Sequence, residues 1–163
     1  MSTRLRRASA AAFAALRGRG ERVSFAESLT GGMIAAALVE NAGASDVLGE
    51  SYVTYAADAK VRILGVKRET VDTDGVVSAR CAREMAEGVR RVSGADWGVS
   101  ATGLAGPDGG TADTPVGTVF IGIAGARGAA AREFHFTGDR GEIRAQAARA
   151  ALEALCEAMD EKA

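Results

Sequence analysis

Three side chains able to do covalent chemistry stand out in this chain: the hydroxyl of Ser28, the phenol of Tyr55 and the amine of Lys60. Ser28 lies in Ala26-Glu27-Ser28-Leu29-Thr30-Gly31-Gly32. Ahead of it, Val23-Ser24-Phe25 reads as the end of a short buried strand, and behind it Met33 to Val39 reads as a small-residue helix. A helix start presents unpaired N–H groups and the positive end of its dipole. Glycines there let a ligand come close to the backbone. A serine on such a turn can act as a nucleophile, with Thr30, Gly31 and Gly32 as oxyanion donors beside it. The same residues also fit a simpler role, in which Ser28 or Thr30 only caps the helix.

A serine nucleophile needs a base. The single histidine, His135, sits between Phe134 and Phe136 on a late strand, a position suited to a surface or internally satisfied ring. Lys60 is the economical alternative. Tyr55 ends a strand pattern and Lys60 falls on the helix just after it, so both can face one cleft. A free lysine titrates near ~10.4 and is almost wholly protonated at neutral pH; burial and neighbouring positive charge are the means of changing that. Tyr55 would relay a proton or orient the amine. The competing role for Lys60 is an ordinary solvated side chain.

A second feature is the loop Gly103-Leu104-Ala105-Gly106-Pro107-Asp108-Gly109-Gly110-Thr111, which follows a strand pattern ending at Thr102. Glycines at such a place allow backbone N–H groups to form an anion-holding concavity. No Gly-Lys-Ser/Thr follows, so it is not a P-loop, and its three-residue spacing with an inserted proline does not fit the dinucleotide fingerprint. The alternative is a long turn with no ligand. Arg140 and Arg144, at the start of the last helix, can grip a phosphate or simply form a surface pair. Asp108 and Asp113 have no His/Cys cluster or EF-hand spacing near them, so no metal and no cofactor is expected.

The elements that must position these groups can be read from periodicity. Leu5, Ala8, Ala12, Phe13 and Leu16 mark a first helix. Strands are expected over 22–26, 51–55, 96–102, 117–124 and 131–136, the last two as a hairpin. Helices are expected over 32–40, 56–64, 78–93 and 139–158, stopped by Gly65 and Gly94 where glycine ends them. Alternating strands and helices early, with adjacent strands late, predict a three-layer α/β/α domain. Its sheet is mixed and partly parallel, with about five strands and helices on both faces. The 163 residues read as one domain, 1–163, without repeats or linkers.

Composition narrows the partners. Lys plus Arg number 20 against 21 for Asp plus Glu, so nothing calls for nucleic acid or an anionic membrane. Hydrophobic content of 47% with 5% aromatic residues predicts a close-packed Ala/Val/Leu/Gly interior. Arg4, Arg6 and Arg7 precede an alanine-rich run, but Arg17 and Arg19 interrupt it too soon for a secretory signal, and no run reaches a membrane span of roughly 20 apolar residues. Two cysteines, Cys81 and Cys156, fit free thiols in a reducing cytoplasm, the expected location.

Taken together, the chain resembles the CinA C-terminal domain family, whose stand-alone members include nicotinamide-nucleotide amidohydrolases of the PncC type. The resemblance is carried by 26–32, by Tyr55 through Lys60, by Gly75-Val76-Val77-Ser78, by Thr102 through Thr111, by Pro115 to Val119, and by Gly138-Asp139-Arg140 with Arg144. It implies hydrolysis of the carboxamide of nicotinamide mononucleotide (NMN) to nicotinate mononucleotide and ammonia, without a metal. It also implies a serine, lysine and tyrosine active site, which falls on Ser28, Lys60 and Tyr55. Thr30, Gly31, Gly32, Thr102, Gly103, Gly106, Arg140 and Arg144 are then the expected substrate contacts, and a homodimer or higher homo-oligomer is expected. Larger members carry an additional N-terminal domain for which 163 residues leave no room. Three departures are visible: Leu29 stands where the family often has cysteine, Ala57-Asp58 where Asn-Glu is expected, and Ala101 where a valine is usual. Two other functions fit the same residues: a non-catalytic nucleotide-binding regulatory module, and an amidase for a different small amide.

Overall fold

The computed structural model describes residues 1–161. Its elements run α1 (Thr3–Arg19), β1 (Val23–Glu27), α2 (Met33–Val39), β2 (Leu48–Val53), α3 (Ala57–Leu64), α4 (Arg68–Thr73), α5 (Ala79–Ser93), β3 (Trp97–Gly103), β4 (Thr118–Gly125), β5 (Gly128–His135) and α6 (Arg140–Asp160). The strands form one sheet in the order β2-β1-β3-β4-β5. β1 is parallel to both β2 and β3, whereas β3-β4 and β4-β5 are antiparallel. No described helix is long and apolar enough to cross a membrane.

The two faces of the sheet are covered by different helices. Leu5, Ala12 and Leu16 of α1, Ile34 and Leu38 of α2, and Ile143, Leu152 and Leu155 of α6 pack with Phe25, Val99 and Ile121 in the larger core. Leu64 of α3 and Cys81, Met85 and Val89 of α5 pack with Ala26 and Val66 on the opposite face. This is the three-layer α/β/α arrangement with a mixed sheet that the alternation of elements predicts. The alanine- and glycine-rich composition has a direct use here. A Cβ on Gly98 would lie 2.1 Å from the Ala86 carbonyl of α5, and one on Gly122 would lie 2.3 Å from that of Ala82. α5 can therefore rest on the sheet backbone itself, and Ser100 Oγ donates to the Ala82 carbonyl at 2.6 Å across the same gap.

Three local expectations are corrected. β2 runs 48–53 rather than 51–55, so Tyr55 lies beyond the strand. Two short elements, the 3₁₀ turn Ala44–Asp46 and helix α4, have no hydrophobic period long enough to be read. β5 starts at Gly128, because it pairs residue for residue with β4 as far as Gly125↔Gly128.

The topology also locates a crevice. The chain leaves β1 for β2 on one side and then crosses back to β3 on the other. Between the carboxyl ends of β1 and β3 the connections diverge, and in open α/β sheets such a switch point is where ligands bind. Ser28 follows β1 at this point, and its N–H donates to the Ala101 carbonyl of β3 at 2.9 Å.

Candidate active site

Lys60 enters the crevice from α3, where it shares the buried stripe with Leu64 one turn on. Only 1% of it is exposed, and no described carboxylate pairs with it. Its Nζ lies 3.1 Å from Ser28 Oγ, 2.6 Å from the Thr54 carbonyl oxygen and 3.3 Å from that of Tyr55. Burial disfavours the ammonium form and pulls the Lys60 pKa below the ordinary lysine value, while Cys81 nearby acts in the opposite sense. The Cys81 thiol is itself pushed up to about 11 by its own burial, with Lys60 partly offsetting this. A neutral amine has two N–H donors and one lone pair. With the donors on the two carbonyls, the lone pair faces the Ser28 hydroxyl, the orientation a general base requires.

Ser28 is 9% exposed and opens onto a cleft of about 250 Å³ lined by Leu29, Tyr55, Val76, Val77, Thr102, Gly103, Asp108 and Arg140 among others. The turn after it is set by Gly31 (φ 59°) and Gly32 (φ 93°), two successive left-handed residues that only glycine adopts at low cost. The expected use of these glycines as oxyanion donors is corrected. The Gly31 N–H donates to the Ser28 carbonyl at 3.1 Å. The Gly32 N–H donates to Glu27 Oε2 at 2.9 Å. The same carboxylate accepts from Ile34 N–H at 3.1 Å and Ala35 N–H at 3.0 Å. Glu27 thus fills the positive end of α2 from within the chain. The N–H groups of Leu29 and Thr30, the two residues that follow the nucleophile, make no hydrogen bond to another described residue. Thr30 Oγ1 is buried without a partner among the described residues.

Tyr55 is brought to the cleft by its position, but a different part of it meets the lysine. Its carbonyl accepts from Lys60, whereas the ring is 62% exposed and its hydroxyl accepts from Arg140 Nη2 at 3.3 Å. The phenol is therefore not interposed between Ser28 and Lys60.

The two arginines divide their work. α6 starts at Asp139, where a reciprocal cap with Glu142 fixes the first turn. From that turn Arg140 Nη1 donates to the Gly106 carbonyl at 2.6 Å, holding the glycine loop. Arg144 donates from Nε to Leu29 O at 2.8 Å and from Nη2 to Thr30 O at 2.9 Å, holding the serine turn. Arg140 lines the cleft and Arg144 does not. Thr102 also has a structural bond, from Oγ1 to the Val76 carbonyl at 2.7 Å. At Gly103 a Cβ would come within 2.6 Å of the Thr118 carbonyl, so its glycine serves strand packing as well as the cleft. His135 lies on the edge strand, with Nε2 3.1 Å from Glu133, and does not line the cleft.

Glu27 is the residue the sequence reading missed. The sequence holds a weak signal for it: an acidic residue six positions ahead of a helix that lacks a side-chain cap of its own.

Comparison with known proteins bears on the same chain. The family model described as CinA C-terminal domain matches residues 6–159. A CinA-like protein of Anaeromyxobacter sp. (strain K) is 51% identical over 142 residues, 87% of this chain and 35% of that protein. A CinA-like protein of Syntrophomonas wolfei is 44% identical over 142 residues, 87% of this chain and 34% of that protein. The chain thus spans about a third of the length of these curated relatives. Among solved structures, the competence/damage inducible protein CihA of Agrobacterium tumefaciens superposes with a TM-score of 0.94 at 40% identity, covering 98% of both chains. A competence-damaged protein (CinA) superfamily protein of Escherichia coli gives 0.91 at 32% identity, covering 97% of this chain and 92% of that one.

Proposed function

This chain belongs to the CinA C-terminal domain family, and on that premise we propose that it is an amidase that hydrolyses the carboxamide of NMN through an acyl-enzyme on Ser28. The observation that carries the proposal is the buried Lys60 amine, 3.1 Å from Ser28 Oγ and depressed in pKa by burial. A surface lysine beside a helix cap would have neither property.

In this reading the Lys60 lone pair takes the Ser28 proton as Oγ attacks the carboxamide carbon. The carbonyl oxygen becomes an oxyanion, held by the N–H groups of Leu29 and Thr30. One such donor is typically worth about 3–4 kcal/mol in the transition state. Lys60 then returns the proton to the amide nitrogen, the C–N bond breaks and ammonia leaves. Water, deprotonated by the same amine, attacks the nicotinoyl ester; its proton returns to Ser28 Oγ as the acid is released. The cationic ring suits a cleft with Asp108 on its wall. It also adds positive charge near Lys60, which favours the neutral amine. Arg140 has five N–H groups and uses one on Gly106 and one on Tyr55, so others remain for the phosphate. Arg144 is committed to the serine turn and is withdrawn as a phosphate ligand.

Incubation of the purified protein with NMN, with released ammonia measured, tests the proposal. Stoichiometric conversion to nicotinate mononucleotide that is lost in Ser28→Ala is the expected result. NMN bound without ammonia release would favour a regulatory binding module, and release from other small amides but not from NMN would move the substrate assignment.

A further inference from the structure

Glu27 is fully buried, a costly place for a carboxylate unless hydrogen bonds replace its water. It has them: N–H groups of Gly32, Ile34 and Ala35 at 2.9–3.1 Å, with Ser51 Oγ at 3.5 Å. Charge-assisted bonds to a helix N-terminus are among the strong ones, and the dipole adds to them. Its main chain is equally engaged. The Glu27 carbonyl accepts from Thr54 N–H at 2.9 Å, and Thr54 supplies the carbonyl closest to Lys60 Nζ. The peptide after Glu27 is Ser28 itself. One residue therefore joins three parts of the site: the start of α2, the carbonyl that aims the base, and the nucleophile.

We propose that Glu27 is a positioning residue for the Ser28–Lys60 pair, its buried carboxylate fixing the serine turn against α2 so that Oγ stays within reach of Nζ. The proposal rests on the reading of Ser28 as nucleophile and Lys60 as base, and it is independent of which amide is the substrate. The N-terminal N–H groups of Gly32, Ile34 and Ala35 at α2 are taken up by the chain's own carboxylate. No hydrogen bond or ion pair joins Glu27 to Lys60, and Glu27 is not among the groups that shift the Lys60 pKa. Its removal should therefore lower the rate without moving the pH at which the base becomes active.

The test uses an alkyl fluorophosphonate on the 163-residue chain, with the modified residue identified by peptide mass spectrometry. Ser28 Oγ forms the O–P bond, the P–F bond breaks, fluoride leaves and Lys60 takes the proton. Labelling is followed against pH for wild type, Ser28→Ala, Glu27→Gln and Glu27→Asp, each checked for native circular dichroism. The expected result is Ser28 labelling in wild type, none in Ser28→Ala, and a plateau rate lower by about 100-fold in Glu27→Gln, the scale of a ~1 Å misplacement. The pH midpoint stays at its wild-type position. Glu27→Asp, which keeps the charge but shortens the reach, should also be slowed and keeps the test decisive if the glutamine variant does not fold. A folded Glu27 variant that labels at the wild-type rate overturns the proposal. So does a midpoint that rises toward that of ordinary lysine, because the site would then have opened to water as a whole. A wild type left unlabelled at Ser28 overturns the nucleophile reading and this proposal together; equal labelling of Ser28 in wild type and in the Glu27 variants overturns this proposal alone.

Discussion

Arg140 and Arg144 stand one turn apart on α6 and hold two different segments of the site, the glycine loop and the serine turn. Arg140 binds the Gly106 carbonyl and the Tyr55 hydroxyl, and Arg144 binds the Leu29 and Thr30 carbonyls. Their different targets predict different kinetic faults. Arg144→Ala removes two charge-assisted bonds to the serine turn and should lower kcat with NMN by about 10- to 100-fold, on the scale of a small misplacement. Arg140→Ala should raise KM more than it lowers kcat. Steady-state ammonia release separates the two, and an equal effect on kcat from both variants would contradict the division.

Ser28→Ala should retain fold and thermal midpoint within a few degrees, since the hydroxyl's described hydrogen bond is the one to Lys60. Activity should fall by at least about 10³-fold, as expected when a covalent nucleophile is lost. Coupled assay of ammonia together with thermal unfolding checks both halves.

The depressed Lys60 pKa has a sign that can be followed in stability. Folding lowers the lysine pKa from its ordinary value of 10.5. Between the folded value and 10.5 the unfolded chain binds more protons, so native stability gains from Lys60 as pH rises through that window. Urea unfolding of wild type and Lys60→Met at a series of pH values should therefore show wild type gaining on the variant as pH increases. Loss of the bond to the Thr54 carbonyl shifts the offset between the curves but not the sign of the slope. Activity of wild type should rise as pH passes through the lowered folded-state value and level off above it, and Lys60→Met should be inactive at every pH.

Tyr55→Phe separates two roles for the phenol. As a proton relay it would be worth about 10²-fold or more in kcat. With its hydroxyl on Arg140 and its carbonyl on Lys60, the variant should keep kcat within about threefold and chiefly alter KM through Arg140. A kcat reduced a hundredfold would return Tyr55 to the proton path.

Gly88 marks the contact of α5 with α3, where a Cβ would lie 2.1 Å from the Leu64 carbonyl. Gly88→Ala must push α3 away, and Lys60 moves with it. Overpacking of this kind costs about 1–3 kcal/mol, so the thermal midpoint should fall and activity should drop with it, although residue 88 touches no part of the cleft.

Much of this was legible in the sequence. The order of strand and helix patterns determined the layered α/β architecture, because burial periodicity is local and each helix or strand carries its own. The hydroxyl, amine and phenol could be paired because no histidine competed. Gly31 and Gly32 stand out by residue type, but the sequence reading gave them the close approach of a ligand rather than the left-handed turn they form. What the glycines are for was not legible. Whether an N–H points to a ligand or to a neighbouring carboxylate depends on where Glu27 lies in three dimensions; an acidic residue shortly before a helix without a side-chain cap permits the second but does not require it.

The same division holds for the cleft. The sequence by itself determined which residues carry chemistry and which segments must deliver them. Only the tertiary structure decided that Lys60 loses its water beside Ser28, that Tyr55 meets it through a carbonyl rather than the phenol, and that Arg144 grips the serine turn instead of facing the cleft. Each depends on desolvation and distance between segments far apart in the chain, from 28 to 60 and from 29 to 144. Hydrogen bonds and pKa shifts respond to position within about an ångström, whereas hydrophobic periodicity specifies only which face turns inward.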